Sequence, residues 1–295
     1  MIWFCIPVHN RLSYTIKCIE SIMEQSCQDF KIIIADSAST DRTSETIREQ
    51  YPGVKVIETS DSMWWTGATN ICVKEALLSA GDDDYIFTLN NDTELSSGAI
   101  ETLLKAAQKN ASSIIGAVNV FYADHEKIEP SAFKRDSHAL FFKKFHYPVN
   151  KWGESFGNRS GLLPVDTLSG KGVLIPVRAF RQVGLYNEEL LPHYHADTEF
   201  IIRCKNAGFS VSLCYDAVIY SHQELSGSGT KTSNPGLKSF LKSITDLKSA
   251  NHLASNRNVC RLIYGKYWRL YFYYGSSRMI FGFLRRYTTG FITKR

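Results

Sequence analysis

Three polar clusters each follow a short apolar run. His9-Asn10-Arg11 follows Ile2 to Val8, Asp36 to Asp41 follows Phe30 to Ala35, and Asn90-Asn91-Asp92 follows Tyr85 to Leu89. Farther on, Ser169-Gly170-Lys171-Gly172 precedes another apolar run, and His195-Ala196-Asp197-Thr198-Glu199 opens a helical pattern. A carboxylate in such a place can accept hydrogen bonds, hold a hard cation such as magnesium or manganese, or take the proton of a hydroxyl. Each also has a structural use. Asp36 can cap its own loop, Asp41 can cap the next helix, and Asp197 and Glu199 suit the positive end of a helix dipole. The two glycines beside Lys171 let backbone approach a ligand closely. The G-x-x-x-x-G-K spacing of a phosphate-binding loop is absent.

The elements that must position these clusters alternate in period. Nearly continuous apolar runs at Ile2 to Val8, Phe30 to Ala35, Val54 to Glu58 and Tyr85 to Leu89 read as buried strands. Helical spacing intervenes at Ser13 to Gln25, Thr43 to Gln50, Ala68 to Ser79 and Ser96 to Lys109. Strand and helix in strict turn predict a mostly parallel α/β sheet, in which ligands bind beyond the carboxyl ends of the strands. The three clusters then share one edge. A strand is expected at Gly172 to Pro176, helices from Arg178 and over Asp197 to Ala207, and a strand at Val211 to Cys214. Phe121 to Gly161 reads as loops with an extra hairpin, and Leu225 to Pro235 as a Gly/Ser/Thr-rich lid.

Composition narrows the class. With 44% apolar and 21% charged residues in 295, the chain is an ordinary globular protein. No apolar run reaches the roughly 18 residues of a spanning helix, and no basic stretch precedes the first apolar run as a secretory signal requires. The net charge of +5 hides an asymmetry. From Leu247 onward ten Lys or Arg stand without an acid, so the preceding 246 residues carry a net charge of −5. Seven irregularly spaced cysteines with no C-x-x-C pair fit a reducing cytoplasm better than a disulfide framework or zinc site.

In order, Pro7-Val8-His9-Asn10, Ile34 to Asp41, Leu89-Asn90-Asn91-Asp92, Ser169-Gly170, Val183-Gly184-Leu185-Tyr186 and His195 to Phe200 resemble the motifs of family 2 glycosyltransferases of the GT-A fold. The likeness is to the bacterial rhamnosyl- and galactofuranosyltransferase-like members and spans residues 1–225. It implies a GT-A domain over 1–235 with a helical, aromatic and basic extension over 236–295. It also implies a nucleotide-diphosphate-sugar donor, a divalent manganese or magnesium ion, and inversion at the anomeric carbon. Pro7, His9, Asn10, Asp36, Asn91, Asp92, Gly170 and Lys171 are then expected on the donor side, joined by Trp65, Gly67 and Asn70. The resemblance assigns the metal to Asp92 and His222, the catalytic base to Asp197, and the acceptor side to His195 and Glu199.

Two departures from the family pattern stand out. Asn90 replaces the first acid of the D-x-D metal motif, and Ala196 replaces a glutamate before Asp197. These losses leave a non-catalytic, glycan-binding or scaffolding relative as one alternative. A sugar nucleotidyltransferase is another, although His9-Asn10-Arg11-Leu12 is not its Gly-rich basic loop. The expected acceptor is a lipid-linked bacterial surface glycan. The basic tail interleaves Tyr, Phe and Trp, which suits an anionic membrane surface; packing on the domain or in a homodimer is the competing use. Nucleic acid is not expected, since no nucleic-acid module is present. The expected location is the cytoplasm, peripheral on the inner face of the cytoplasmic membrane.

Overall fold

The computed structural model describes residues 1–108, 111–135, 146–222 and 236–292. β1 (Ile2–Val8), β2 (Phe30–Ser37), β3 (Lys55–Thr59) and β4 (Tyr85–Thr88) lie parallel in the order β3-β2-β1-β4. The crossovers are α1 (Leu12–Met23), α2 (Thr43–Gln50) and α3 (Trp64–Leu77). The apolar run of β1 is buried on both sides. Ile2, Phe4, Ile6 and Val8 share one core with Ile19 and Ile22 of α1 and with Leu103 of α4 (Ala99–Gln108). Trp3 and Cys5 share the other with Cys72, Val73 and Ala76 of α3.

Beyond β4 the sheet turns mixed. β5 (Thr93–Leu95) is followed by α4 and β6 (Ser113–Phe121), and β13 (Val173–Pro176) inserts antiparallel between β4 and β6. β14 (Ser210–Ser221) runs parallel to β6 and antiparallel to β5 and to β11 (Leu162–Pro164). The register between β14 and β6 shifts between Cys214 and Val218, which divides the apolar pattern of one long strand in two. β7 (Asp124–Glu129) pairs with β6 and with β10 (Glu154–Ser155), supplying the expected extra hairpin. A separate small sheet has the order β12 (Thr167–Leu168), β8 (Ala132–Arg135), β9 (His146–Pro148). α3 begins at Trp64, so the tryptophan pair sits in its first turn rather than ahead of it. The expected lid at Leu225 to Pro235 lies outside the described residues.

α5 (Val177–Val183) and α6 (Ala196–Asn206) close the face that carries Tyr186 and Phe200. The extension forms α7 (Leu237–Thr245), α8 (Leu253–Tyr264) and α9 (Trp268–Ile292). It is packed against the body. Val259 of α8 joins the core cluster that holds Phe200, and Asn258 donates to the Leu190 carbonyl at 3.0 Å; within the extension Phe240 of α7 stacks on Phe283 of α9 at 4.2 Å. Among the described residues no helix is long and apolar enough to cross a membrane. The seven cysteines are unbridged; Cys5, Cys18, Cys72, Cys204 and Cys214 are buried, and Cys27 and Cys260 are partly exposed.

Candidate active site

The loops after β1 and β2 are stitched together. The imidazole Nδ1 of His9 lies 2.7 Å from the Ser37 carbonyl, and the Asn10 side-chain oxygen accepts from Thr40 N–H at 2.8 Å. Asn10 N–H donates to Ser39 Oγ at 2.6 Å. Asp36 is 2% exposed and accepts from Ser39 and, at 2.5 Å, from Ser44 Oγ. Asp41 accepts from Leu12 N–H at 2.9 Å and from Thr43, tying the first turn of α1 to that of α2. Asn10 and Arg11 both have left-handed backbone, with φ of 58° and 69°. Left-handed backbone costs an ordinary L-residue about 1–2 kcal/mol, a strain held here by these loop bonds. Pro7 is the penultimate residue of β1 and sits in register with Ala35.

The third cluster lies against the first. Asn91 donates to the Asn10 carbonyl at 3.2 Å, and Arg11 pairs with Asp92 Oδ2 at 3.0 Å. Asp92 Oδ1 is buried and accepts no hydrogen bond in the structure. His222 follows the end of β14 and donates its N–H to the Asp92 carbonyl at 3.1 Å. Its Nε2 lies 2.8 Å from Glu94, and its ring is stacked on Tyr122 at 3.9 Å and edged by Tyr14. Among the described residues no group of three His, Cys, Asp or Glu converges to hold a metal. Among the described residues Asp92 Oδ1 is a buried acceptor without a hydrogen bond and fits a cation, while the expected second ligand, His222, turns its Nε2 to Glu94. Hard divalent ions take six or more oxygens, so other ligands would have to come from a bound phosphate or water.

A second chain of contacts leads to Asp197. Trp65 Nε1 donates to Asn90 Oδ1 at 2.9 Å. The Trp65 ring covers Gly170 so closely that a Cβ there would stand 2.4 Å from Cζ2, a contact that excludes every residue but glycine. Gly170 N–H donates to Asp197 Oδ2 at 2.8 Å, and Thr198 N–H donates to Oδ1 at 2.7 Å. Burial raises the Asp197 pKa above the ordinary carboxylate value, against the pull of these two N–H groups and of His195. Burial lowers the His195 pKa, which Asp197 and the Ala250 backbone oppose. His195 itself is left-handed, φ 73°, at the entry to α6.

Other expected site residues are engaged elsewhere. Lys171 Nζ lies 2.7 Å from Glu129 and donates to Ser221 Oγ at 2.9 Å, a pair whose side chains are 12% and 7% exposed. Asn70 donates to the Tyr186 carbonyl and to Glu188, both at 2.9 Å, and accepts from Tyr186 N–H. Gly67 faces Met63 and Glu188. Glu199 pairs with Arg203, which also donates to the carbonyls of Val183 and Leu185. These contacts join α3, α5 and α6. Glu94, Tyr122 and Ala250 join the site's network beyond the residues expected from the sequence. Glu94 had a signal, since Asp92 and Glu94 alternate into β5. Arg11 stands in the first polar cluster, but its pairing with Asp92 spans 81 residues and follows from no local rule.

The sheet order, the one-edged clustering of polar loops and the mixed far half define the GT-A class of α/β folds. A family model described as "Glycosyl transferase family 2" matches residues 3–184, and the chain belongs to that family. The chain is 27% identical over 208 residues to the N-acetylglucosaminyl-diphospho-decaprenol L-rhamnosyltransferase of Mycobacterium tuberculosis (strain ATCC 25618 / H37Rv), covering 65% of this chain and 66% of the relative. It thus spans just under two thirds of that enzyme's length. GalNAc-T7 solved with UDP, GalNAc and Mn2+ superposes with a TM-score of 0.59 at 13% identity, over 75% of this chain and 43% of that one. S. aureus TarS 1-349 in complex with UDP gives 0.55 at 12% identity, over 90% and 65%.

Proposed function

We propose that the chain is an inverting glycosyltransferase that moves a sugar from a nucleotide diphosphate to a hydroxyl of a lipid-linked bacterial surface glycan. The observation that carries this reading is the contact chain Asp92–Arg11, Asn90–Trp65 and Gly170–Asp197, which brings the strand-end loops to one carboxylate at a helix start. The lipid-linked acceptor is supported by the mycobacterial relative, named as acting on a diphospho-decaprenol-linked sugar.

In this reading Asp197 is the catalytic base. Its carboxylate takes the acceptor hydroxyl's proton as that oxygen attacks the anomeric carbon and the nucleotide diphosphate leaves from the opposite face. The raised pKa makes it a stronger base, while the N–H groups of Gly170 and Thr198 fix its orientation. The loops bearing Pro7, His9, Asn10, Asp36 and Asn91 border the nucleotide, and Trp65 and Gly170 border the donor sugar. A manganese or magnesium ion would be held by Asp92 with His222 beside it, and would supply charge neutralisation of the departing diphosphate. Arg11 delivers a fixed positive charge to the same carboxylate. Lys171, Gly67, Asn70 and Glu199 serve the scaffold through the contacts described, and His195 faces the acceptor.

Residues 1–235 form the GT-A domain in this reading, and 236–295 the extension. α9 leaves Leu270, Tyr273, Ile280, Phe281 and Leu284 exposed near Arg269 and Arg285. That composition suits a peripheral seat on an anionic membrane at the cytoplasmic face. The test of the enzymatic reading is transfer, and slow hydrolysis, of nucleotide-diphosphate sugars by the full chain with manganese. A chain that binds nucleotide diphosphates yet neither transfers nor hydrolyses any donor would be a scaffolding relative.

A further inference from the structure

A cavity of 520 Å³ lies where the start of α6, the small sheet, α8 and α9 meet. That is within the roughly 300–1,000 Å³ of small-molecule sites. The family match ends at residue 184, so α6, α8 and α9 all lie beyond it. His195 and Thr198 form one wall, and they bracket Asp197 within a single helical turn. The rest of the lining combines Phe133, Val259 and Ile263 with Asn256, Tyr264, Tyr271 and Tyr274, whose hydroxyl accepts from Arg278 at 3.2 Å.

The chemistry of these walls is mixed in a particular way. Tyrosine rings offer flat apolar faces to C–H groups and a hydroxyl at the edge. Threonine, asparagine and histidine add groups that both donate and accept. His195 keeps its Nε2 buried with no hydrogen-bond partner in the structure, and a buried polar atom in that condition calls for one. A prenyl chain would ask for none of these polar groups. A sugar ring presents C–H faces and hydroxyls together.

We propose that this cavity is a subsite for a sugar ring of the acceptor glycan, distinct from the ring whose hydroxyl reacts. The proposal rests on the glycosyltransferase reading and assigns α8 and α9 a role in choosing the acceptor. The cavity opens on the same turn of α6 as the base, so a ring held there would set the reach of its neighbour toward Asp197.

The test exploits Gly275 of α9, which lines the cavity and whose added Cβ would meet nothing within 4 Å. Gly275→Leu fills the space with a better helix former. In the full chain we expect the acceptor KM to rise about tenfold, equivalent to about 1.4 kcal/mol. Donor affinity and melting temperature should be unchanged. Tyr274→Phe, which removes only a hydroxyl, should raise KM less and guards against a misfolded first variant. Saturation-transfer NMR with free N-acetylglucosamine, rhamnose and galactose supplies a readout that needs no catalysis. At least one sugar should contact the wild-type chain and lose that contact in Gly275→Leu. An unchanged acceptor KM in both variants overturns the proposal. So does an absence of sugar contact, or displacement of bound sugar by neither acceptor nor glycan while a prenyl phosphate binds the cavity. If the wild type transfers nothing, the enzymatic reading falls, and the NMR comparison alone decides whether the cavity takes sugar.

Discussion

The two sides of the site are assembled from different kinds of contact. On the proposed donor side, the loops after β1, β2 and β4 are fastened to one another by side chains that reach the neighbouring loop, as His9 does to Ser37 and Asn91 to Asn10. On the proposed acceptor side, Asp197, His195 and the extension come from elements that lie outside the parallel strands. Their contacts cross between elements, as Asn258 does to Leu190. A parallel sheet makes the first arrangement almost automatically, because its strand ends line up on one edge. The second has to be built from added parts.

The largest expected effect separates chemistry from binding. Asp197→Asn should lower transfer by roughly 10²–10⁴-fold, the usual worth of a general base, while calorimetry finds donor affinity near normal. A variant that keeps more than about a tenth of wild-type activity, far above that range, would move the base elsewhere. In the wild type, kcat/KM should fall as pH drops through the raised pKa of Asp197, because protonation removes the base. The acid limb should lie above the ordinary carboxylate range and vanish in the residual activity of Asp197→Asn.

The next effect is on stability. Glu129→Gln leaves the Lys171 ammonium nearly buried beside a neutral partner, which should cost about 3 kcal/mol by urea titration. Donor affinity measured under native conditions should barely change. A large loss of donor binding in Lys171→Met without a matching loss of stability would instead make Lys171 a phosphate ligand.

Asp92→Ala should weaken donor binding in manganese by about tenfold to a hundredfold, the scale of a lost charged contact. His222→Ala should do less, since imidazole is the poorer ligand for a hard ion. Titrations with and without manganese decide the matter; equal metal dependence in wild type and both variants would remove the ion from this edge. The smallest effect belongs to the extension. Binding to anionic vesicles should weaken with salt yet persist in part, and Phe281→Glu should remove most of the persistent part. Salt-independent absence of binding would return the exposed apolar face of α9 to a second copy of the chain.

The donor side was legible in the sequence because its information is local. Apolar runs fix the strands, and the residue after each run must lie on the shared edge. Asp41 as a helix cap was readable for the same reason. The acceptor side was legible only in fragments. β13 looks like any other buried strand, and nothing in Val173 to Pro176 tells that it runs antiparallel. β5 has three residues, too few to reveal a period. In β14 the bulge between Cys214 and Val218 interrupts the alternation, so Val211 to Cys214 read as the whole strand. Lys171 is expected on the donor side from its glycine neighbours, while its pairing with Glu129, 42 residues away, follows from no local rule. The basic tail suggested a surface, and its charge gave no hint that Val259 enters the core.

The distribution of thiols gives the chain a built-in clock for its own opening. Five of the seven cysteines are buried and report only when the fold yields, while Cys27 and Cys260 are reachable in the native state. Cys260 reacts slowly even so, because burial pushes its thiol up to about 11 and leaves little thiolate at neutral pH. Intact-mass counting of alkylated adducts over time would thus resolve a quick first addition, a slower second one from the wall of the cavity, and a late burst from the core. The unmodified protein carries these probes at both faces of the sheet, and the interval before the burst measures how long the native packing lasts.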